Sequence, residues 1–98
     1  MKVNVLFDNG VDVIEFEPFL GDDIEVYREA IEKYFYDEII DEDGCIELRF
    51  KKSLGYHYFG LEQLIDWMKK VAPNCNVRIV SRGIKEGKED ERLPYLCF

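Results

Sequence analysis

The amino-terminal segment constrains the fold more than any other part of the chain, because it contains two runs in which apolar and polar residues alternate. These runs, KVNVLF and VDVIEFE, lie on either side of Asn9-Gly10. Asn-Gly favours a two-residue turn, since both residues tolerate positive φ. The sequence therefore predicts a β-hairpin with one apolar face, in which Val3 lies opposite Phe16.

Two segments with the three- and four-residue apolar spacing of a helix follow the hairpin. In the first, Asp22 or Asp23 can act as the N-cap of a helix whose apolar stripe begins at Ile24 and continues to Phe35. In the second, GLEQLIDWMKKVAPN, the last turn contains two lysines and Pro73 stops the helix. We therefore predict two amphipathic helices.

Three shorter runs are predicted to be strands: CIELRFKK, NVRIVSR and LPYLCF. Proline confines the last of them to a sheet edge or a strand start, and the charged segment GIKEGKEDER before it is predicted to be an exposed loop. The order β-β-α-β-α-β-β predicts an α+β fold, a two-layer sandwich of one mixed β-sheet with two helices packed on one face. We expect one domain, residues 1–98, with a right-handed parallel crossover from Cys45 to Arg82.

The chain is acidic, and its charge is unevenly distributed. Its formal net charge is −8, but residues 1–49 contain 15 acidic and 4 basic residues, a net charge of −11, and residues 50–98 have a net charge of +3. Such a chain repels nucleic acids and anionic membranes. Its longest stretch without a charged residue, Ser53–Leu61, is too short to span a bilayer. MKVNVLFDNG reaches a turn signal before an apolar run of signal-peptide length, so we expect no export signal there. We expect a cytoplasmic protein that contacts neither nucleic acid nor membrane directly.

Residues that carry catalysis or bind metals are few and show no recognisable spacing. His57 is the single histidine, and the three cysteines, Cys45, Cys75 and Cys97, fit neither a disulfide framework nor a zinc site. The segment IIDEDG fails as a calcium-binding loop because two of the required ligand positions are apolar. We expect no enzymatic activity, no cofactor and no metal. An enzyme or small-molecule binder that uses His57 and the neighbouring tyrosines remains an alternative.

The most unusual feature is DEIIDEDG, residues 37–44, in which five of eight residues are carboxylates and none is a cation. The pattern places Asp37 and Glu38 at the carboxyl end of the first predicted helix, where negative charge is unfavourable. Unfavourable charge at a helix end, with no cation in the run to offset it, indicates that the acidic residues are kept for a function. The alternative is a simply solvated acidic turn, whose repulsion is screened by salt.

We therefore predict an acidic partner-binding surface with Tyr36 as its aromatic anchor. The partner would be a basic protein such as a nuclease, whose nucleic-acid-binding site this chain occludes by electrostatically steered association. An immunity protein, an antitoxin or an anti-CRISPR protein would act in this way. The alternative is a structural or regulatory module that self-associates through a sheet edge, LPYLCF. The predicted partner-binding residues are Glu25, Glu29, Glu32, Tyr36, Asp37, Glu38, Asp41, Glu42 and Asp43.

Overall fold

The computed structural model describes residues 1–7 and 10–98 of the chain. Within these ranges it contains two α-helices and six β-strands, which confirms the predicted α+β class. The elements are β1 (Lys2–Phe7), β2 (Gly10–Glu15), α1 (Ile24–Phe35), β3 (Tyr36–Ile40), β4 (Ile46–Phe50), a 3-10 helix (Lys52–Leu54), α2 (Leu61–Val71), β5 (Arg78–Ile84) and β6 (Tyr95–Cys97).

Four of the strands form a mixed sheet in the order β5-β2-β1-β6, in which β1 and β6 are parallel and the other pairs are antiparallel. The other two strands, β3 and β4, form a separate antiparallel ribbon. The predicted parallel crossover from Cys45 to Arg82 is therefore wrong. β4 pairs with its neighbour in sequence, β3, because a short connection costs less closure entropy than a crossover.

The amino-terminal hairpin forms, but its register differs by two residues from the prediction. Val3 lies opposite Ile14 rather than Phe16, and Phe7 pairs with Gly10. Gly10 is therefore a strand residue, and a Cβ added to it would come 2.8 Å from the backbone oxygen of Ile84 in β5. This glycine permits close approach of β5 instead of forming the predicted turn. A shift of two leaves every residue on its predicted face, and Asn9 lies outside the described residues.

Both helices pack on one face of the four-stranded sheet, as predicted. α1 begins where its sequence indicates, since Asp23 Oδ1 accepts a hydrogen bond of 3.0 Å from the backbone N–H of Glu25. The main core cluster contains Val3, Val5, Ile14, Phe16 and Leu96 from the sheet side, Tyr27, Ile31 and Phe35 from α1, Leu61, Leu64, Trp67 and Met68 from α2, and Cys75.

The opposite face of the sheet is also covered. Asn4, Val11 and Val13 alternate to that face and are buried. Asn4 Nδ2 donates a hydrogen bond of 2.8 Å to the backbone oxygen of Asp90, within the charged segment between β5 and β6. This segment was predicted to be an exposed loop, and residues 85–92 are exposed except for half-buried Glu89. The hydrogen bond from buried Asn4 fastens this exposed segment to the sheet.

The first helix ends earlier than the acidic residues that follow it. Tyr36 is already extended, with φ −126° and ψ 144°, so Asp37 and Glu38 belong to β3 and not to a helix terminus. The last turn of α1 contains Lys33, whose backbone oxygen accepts a hydrogen bond of 3.1 Å from Lys51 Nζ. Positive charge at the carboxyl end of α1 is favourable, so the predicted violation of the helix-dipole rule is wrong.

Candidate functional site

An open groove of about 690 Å³ separates α1 from the β3–β4 ribbon. Along α1, residues at 26, 29, 30 and 33 form a second row beside the core stripe and face this groove. Five of the nine predicted partner-binding residues are brought together there. The residues that line this acidic groove are Val26, Glu29, Ala30, Glu32, Lys33, Tyr36, Asp37, Glu38, Leu48 and Lys51.

Uncovered aliphatic side chains accompany the carboxylates of the acidic groove. Val26 and Leu48, which line it, are 42% and 46% exposed. Ile40 and Ile46 are a cross-strand pair farther along the same face of the ribbon and are 71% and 65% exposed. Such exposed apolar surface bordered by charge is typical of a protein-interaction surface.

Sequence reasoning missed these four aliphatic residues. For Val26, the sequence offered one indication of exposure: its position in the helical repeat places it beside, and not within, the apolar stripe that α1 buries in the core. Ile40 and Ile46 would be buried only if another part of the protein covered the ribbon. The alternation of residues along a strand does not show whether such a cover exists.

Some carboxylates of the surface are already paired within the chain. Arg28 donates to Glu25 at 2.8 Å and to Glu32 at 2.7 Å, and these hydrogen bonds raise the pKa of Arg28. Lys51 Nζ lies 3.9 Å from Asp37 Oδ1. By contrast, Glu29 and Glu38 have no ion pair among the residues that the structure describes. These two carboxylates are therefore available to a cation of a partner.

The ribbon turn, residues 41–44, holds the other three predicted acids at the far end of the ribbon. Asp41 Oδ1 accepts hydrogen bonds from the backbone N–H groups of Asp43 at 2.9 Å and Cys45 at 2.8 Å. Gly44 supplies the positive φ, +81°, that closes the turn. Asp41 thus has a structural function of its own, while Glu42 and Asp43 are exposed and accept no hydrogen bond within the described part of the chain.

Tyr36 anchors the acidic groove to the core. Its half-buried ring packs edge-on against Phe50, with ring centres 5.9 Å apart, and against Phe59, at 6.1 Å. The ring that lines the groove is therefore held in place before any partner arrives. Glu25 lies outside the groove and is joined to it through Arg28.

The residues considered for catalysis do not converge. Exposed His57 lies in a separate open cleft of about 430 Å³ with Arg49, Lys52, Phe50 and Tyr56. Neither Cys45 nor Cys75 lines that cleft. All three cysteines are free thiols, of which Cys75 is buried, whereas Cys45 and Cys97 are exposed despite their strand-like sequence pattern.

Across residues 1–7 and 10–98, no three His, Cys, Asp or Glu side chains come together as a possible metal site. Over the same ranges, no helix has the length and apolar character required to cross a membrane.

The carboxyl-terminal strand β6 lies at a sheet edge, as its proline predicts. It has three residues, and Pro94 directly precedes it. So short an edge offers little backbone for pairing with another chain.

Comparison with protein-family models, with curated proteins and with solved structures finds no match to this chain.

Proposed function

We propose that this chain is a small cytoplasmic binding protein without catalytic activity, which occludes the basic nucleic-acid-binding site of a partner enzyme. The observation that carries the proposal is the combination, on one face, of uncovered aliphatic side chains and unpaired carboxylates. Leu48 and Glu38 show it most clearly, since they are cross-strand neighbours in the acidic groove.

The arrangement supports a two-step association. Carboxylates at the groove and the ribbon turn attract a basic partner over a range set by ionic strength, with a screening length of about 8 Å at physiological salt. The aliphatic side chains and the fixed ring of Tyr36 then supply the desolvated centre, where most binding energy arises. Association rate and specificity would come from the charges, and residence time from the apolar contacts.

A nucleic-acid-binding site is the favoured target because such a site is a basic surface built to bind a dense row of negative charges. Acids on α1 alone, one turn or about 5.4 Å apart, are sparser than duplex phosphates. The ribbon adds Asp37 and Glu38 beside the helix and Asp41, Glu42 and Asp43 beyond it. An immunity protein, an antitoxin or an anti-CRISPR protein would use such a surface.

The test begins with affinity capture by the wild-type chain at low salt and elution at high salt. The captured protein is purified, and the wild-type chain is then added to its complex with labelled nucleic acid. The proposal expects a basic partner and displacement of its nucleic acid. A partner that keeps its nucleic acid at saturating concentrations of this chain would overturn the proposal.

A matched pair of variants distinguishes the effect of charge at the ribbon turn from the effect of the net charge of the whole chain. Asp41→Asn, Glu42→Gln and Asp43→Asn together neutralise the ribbon turn, and the conservative change at residue 41 keeps its acceptor oxygen. Glu17→Gln, Glu86→Gln and Glu91→Gln together remove the same charge from exposed acids elsewhere. We expect the first variant to displace nucleic acid less well than the second.

A further inference from the structure

The β4 strand has an open edge, and two backbone hydrogen bonds determine which of its groups face outward. Asp41 N donates to Cys45 O at 3.0 Å, and Lys51 N donates to Phe35 O at 2.8 Å. Hydrogen-bonded and non-hydrogen-bonded pairs alternate along an antiparallel ladder. The pairs 37/49 and 39/47 are therefore hydrogen-bonded, and the backbone N–H and C=O groups of Ile46, Leu48 and Phe50 point away from β3.

These outward groups have no backbone partner within the described residues. Natural proteins protect such edges with prolines, bulges, covering segments or charged side chains. β4 has charged side chains, Glu47 and Arg49, but they are opposite in sign and can pair with their counterparts in a second copy. β4 contains no proline, its pairing with β3 has no bulge, and all its residues except half-buried Phe50 are exposed. The edge is thus available to another strand.

The sequence of β4 is chemically symmetric about Leu48, since it reads Ile-Glu-Leu-Arg-Phe. We propose that two copies of this chain associate through this edge, with their β4 strands antiparallel and a two-fold axis at Leu48. Leu48 then faces the partner's Leu48, Glu47 faces the partner's Arg49, and Ile46 faces the partner's Phe50. Symmetry produces each of the last two pairs twice, so the edge is complementary to itself in hydrogen bonding, apolar contact and charge.

Charge selects this register over its neighbours. The two closest registers that still pair outward-facing groups place Glu47 opposite the partner's Glu47, or Arg49 opposite the partner's Arg49. Like charges directly opposite one another are destabilising. Only the register centred on Leu48 also pairs all three outward-facing residues of both strands.

A second copy is favoured over the strand of another protein because the complementarity comes from β4 itself. In the resulting four-stranded sheet the two ribbon turns point in opposite directions. The acidic residues 41–43 of the two copies are therefore separated, and their repulsion is screened within about 8 Å at physiological salt. This association requires no feature of the proposed inhibitory function.

A charge exchange tests the proposal by analytical ultracentrifugation of the full chain over a concentration series. Glu47→Arg makes both charged positions of β4 cationic, and Arg49→Glu makes both anionic. Each variant alone should self-associate about tenfold to a hundredfold more weakly than the wild type. An equimolar mixture of the two should recover association as a heterodimer, because every facing pair is again opposite in sign.

Two controls accompany this exchange. Glu86→Arg changes the net charge by the same amount as Glu47→Arg, at an exposed position after β5. It should leave self-association unchanged. Because Asp37 lies opposite Arg49 within the ribbon, the fold of Arg49→Glu is checked by its amide NMR spectrum. Glu47→Arg faces Ile39 across the ribbon but loses the ion pair of 3.5 Å between Glu47 Oε2 and Arg49 Nη2. Its fold is therefore checked by the same amide NMR spectrum.

Hydrogen exchange at the Leu48 amide identifies the edge. It should slow as the wild-type concentration rises, because this N–H becomes bonded only in the dimer. A wild type that stays monomeric throughout the series, or a dimer that Glu47→Arg does not weaken, would overturn the proposal. A dimer whose Leu48 amide exchanges as fast as the monomer's would also overturn it, since the contact would then involve another surface.

Discussion

Asp41 and Cys45 are joined by two hydrogen bonds across the ribbon turn: Asp41 N donates to Cys45 O at 3.0 Å, and Cys45 N donates to Asp41 Oδ1 at 2.8 Å. The most conspicuous acidic run in the sequence therefore contains one residue that the turn itself requires. Glu42 and Asp43 offer the turn no such side-chain bond within the described part of the chain. The run therefore contains two kinds of acid: Asp41, which closes the turn, and Glu42 and Asp43, whose side chains are left for a partner.

Asp41→Ala should loosen the ribbon turn, whereas Asp41→Asn should preserve it. Alanine removes the acceptor of two backbone N–H groups, and one such bond contributes about 1 kcal/mol. We expect the amides of Asp43 and Cys45 to exchange about fivefold faster or more in Asp41→Ala. Equal exchange rates in the two variants would show that the carboxylate is not part of the turn.

Tyr27→Phe should destabilise the whole protein, because the buried hydroxyl of Tyr27 organises the connection before α1. It accepts from the backbone N–H groups of Phe19 at 3.1 Å and Leu20 at 3.0 Å and donates to Gly21 O at 2.6 Å. Leaving these groups unpaired should cost about 1–3 kcal/mol in the free energy of unfolding measured with urea.

The matched control for Tyr27→Phe is Tyr34→Phe. The Tyr34 hydroxyl makes no hydrogen bond within the ranges that the structure describes. Its removal should change the free energy of unfolding by less than about 0.5 kcal/mol. Similar losses in both variants would contradict the importance assigned to the Tyr27 bonds.

Asn4→Leu should release the charged segment between β5 and β6 while keeping the side-chain volume. The substitution removes the bond from Asn4 Nδ2 to Asp90 O. We expect faster hydrogen exchange at Lys88 and Leu93, whose backbone N–H groups bond Lys85 O and Asp90 O within this segment. The free energy of unfolding should change less, because the substitution also removes buried Asn4 Oδ1, which has no hydrogen-bond partner among the described residues. Asn74→Leu, at an exposed turn position, is the control, and unchanged exchange in Asn4→Leu would contradict the account.

The ion pair between β2 and β5 should make stability depend on pH. Arg78 donates from Nε to Glu15 at 2.9 Å, and this hydrogen bond holds the pKa of Glu15 below its ordinary value of about 4.3. A carboxyl whose pKa is lower in the folded state stabilises the fold above the unfolded pKa. That stabilisation is lost as pH falls through the folded pKa.

Arg78→Gln should therefore raise the pKa of Glu15 in an NMR titration of its side-chain carboxyl carbon. The stability difference between this variant and the wild type should shrink as the pH falls below the ordinary glutamate range. Arg82→Gln, on the same strand and without an ion pair in the described residues, should leave the titration unchanged. Identical Glu15 titrations in Arg78→Gln and wild type would refute the role of this bond.

Elements with strong local signals could be predicted from the sequence. α1 has Asp23 as its N-cap, and α2 ends at Val71, just before the predicted stop at Pro73. The faces of the first hairpin were also predictable, because side chains alternate whatever the register. The register itself could not be predicted, and in the observed register Gly10 lies close to Ile84 of β5, a residue distant in sequence.

The ribbon was not predicted because its first strand continues the helical pattern of α1. Ile39 and Ile40 extend the apolar spacing beyond Phe35, and acidic residues do not exclude a helix. A hairpin was nevertheless indicated by two five-residue runs, YDEII and IELRF, on either side of the turn residues that begin with DEDG. Of the candidate site, the acids could be predicted, whereas their exposed aliphatic neighbours depend on tertiary structure.

The proposed function requires that charge on the ribbon turn direct this chain to a basic partner. The most direct measurement is the association rate with the captured partner at low and high salt, for the variant neutralised at residues 41–43 and for its matched control at residues 17, 86 and 91. We predict that the first associates about tenfold more slowly than the control at low salt and that the difference shrinks at high salt. Equal association rates for the two variants at low salt would contradict the claim.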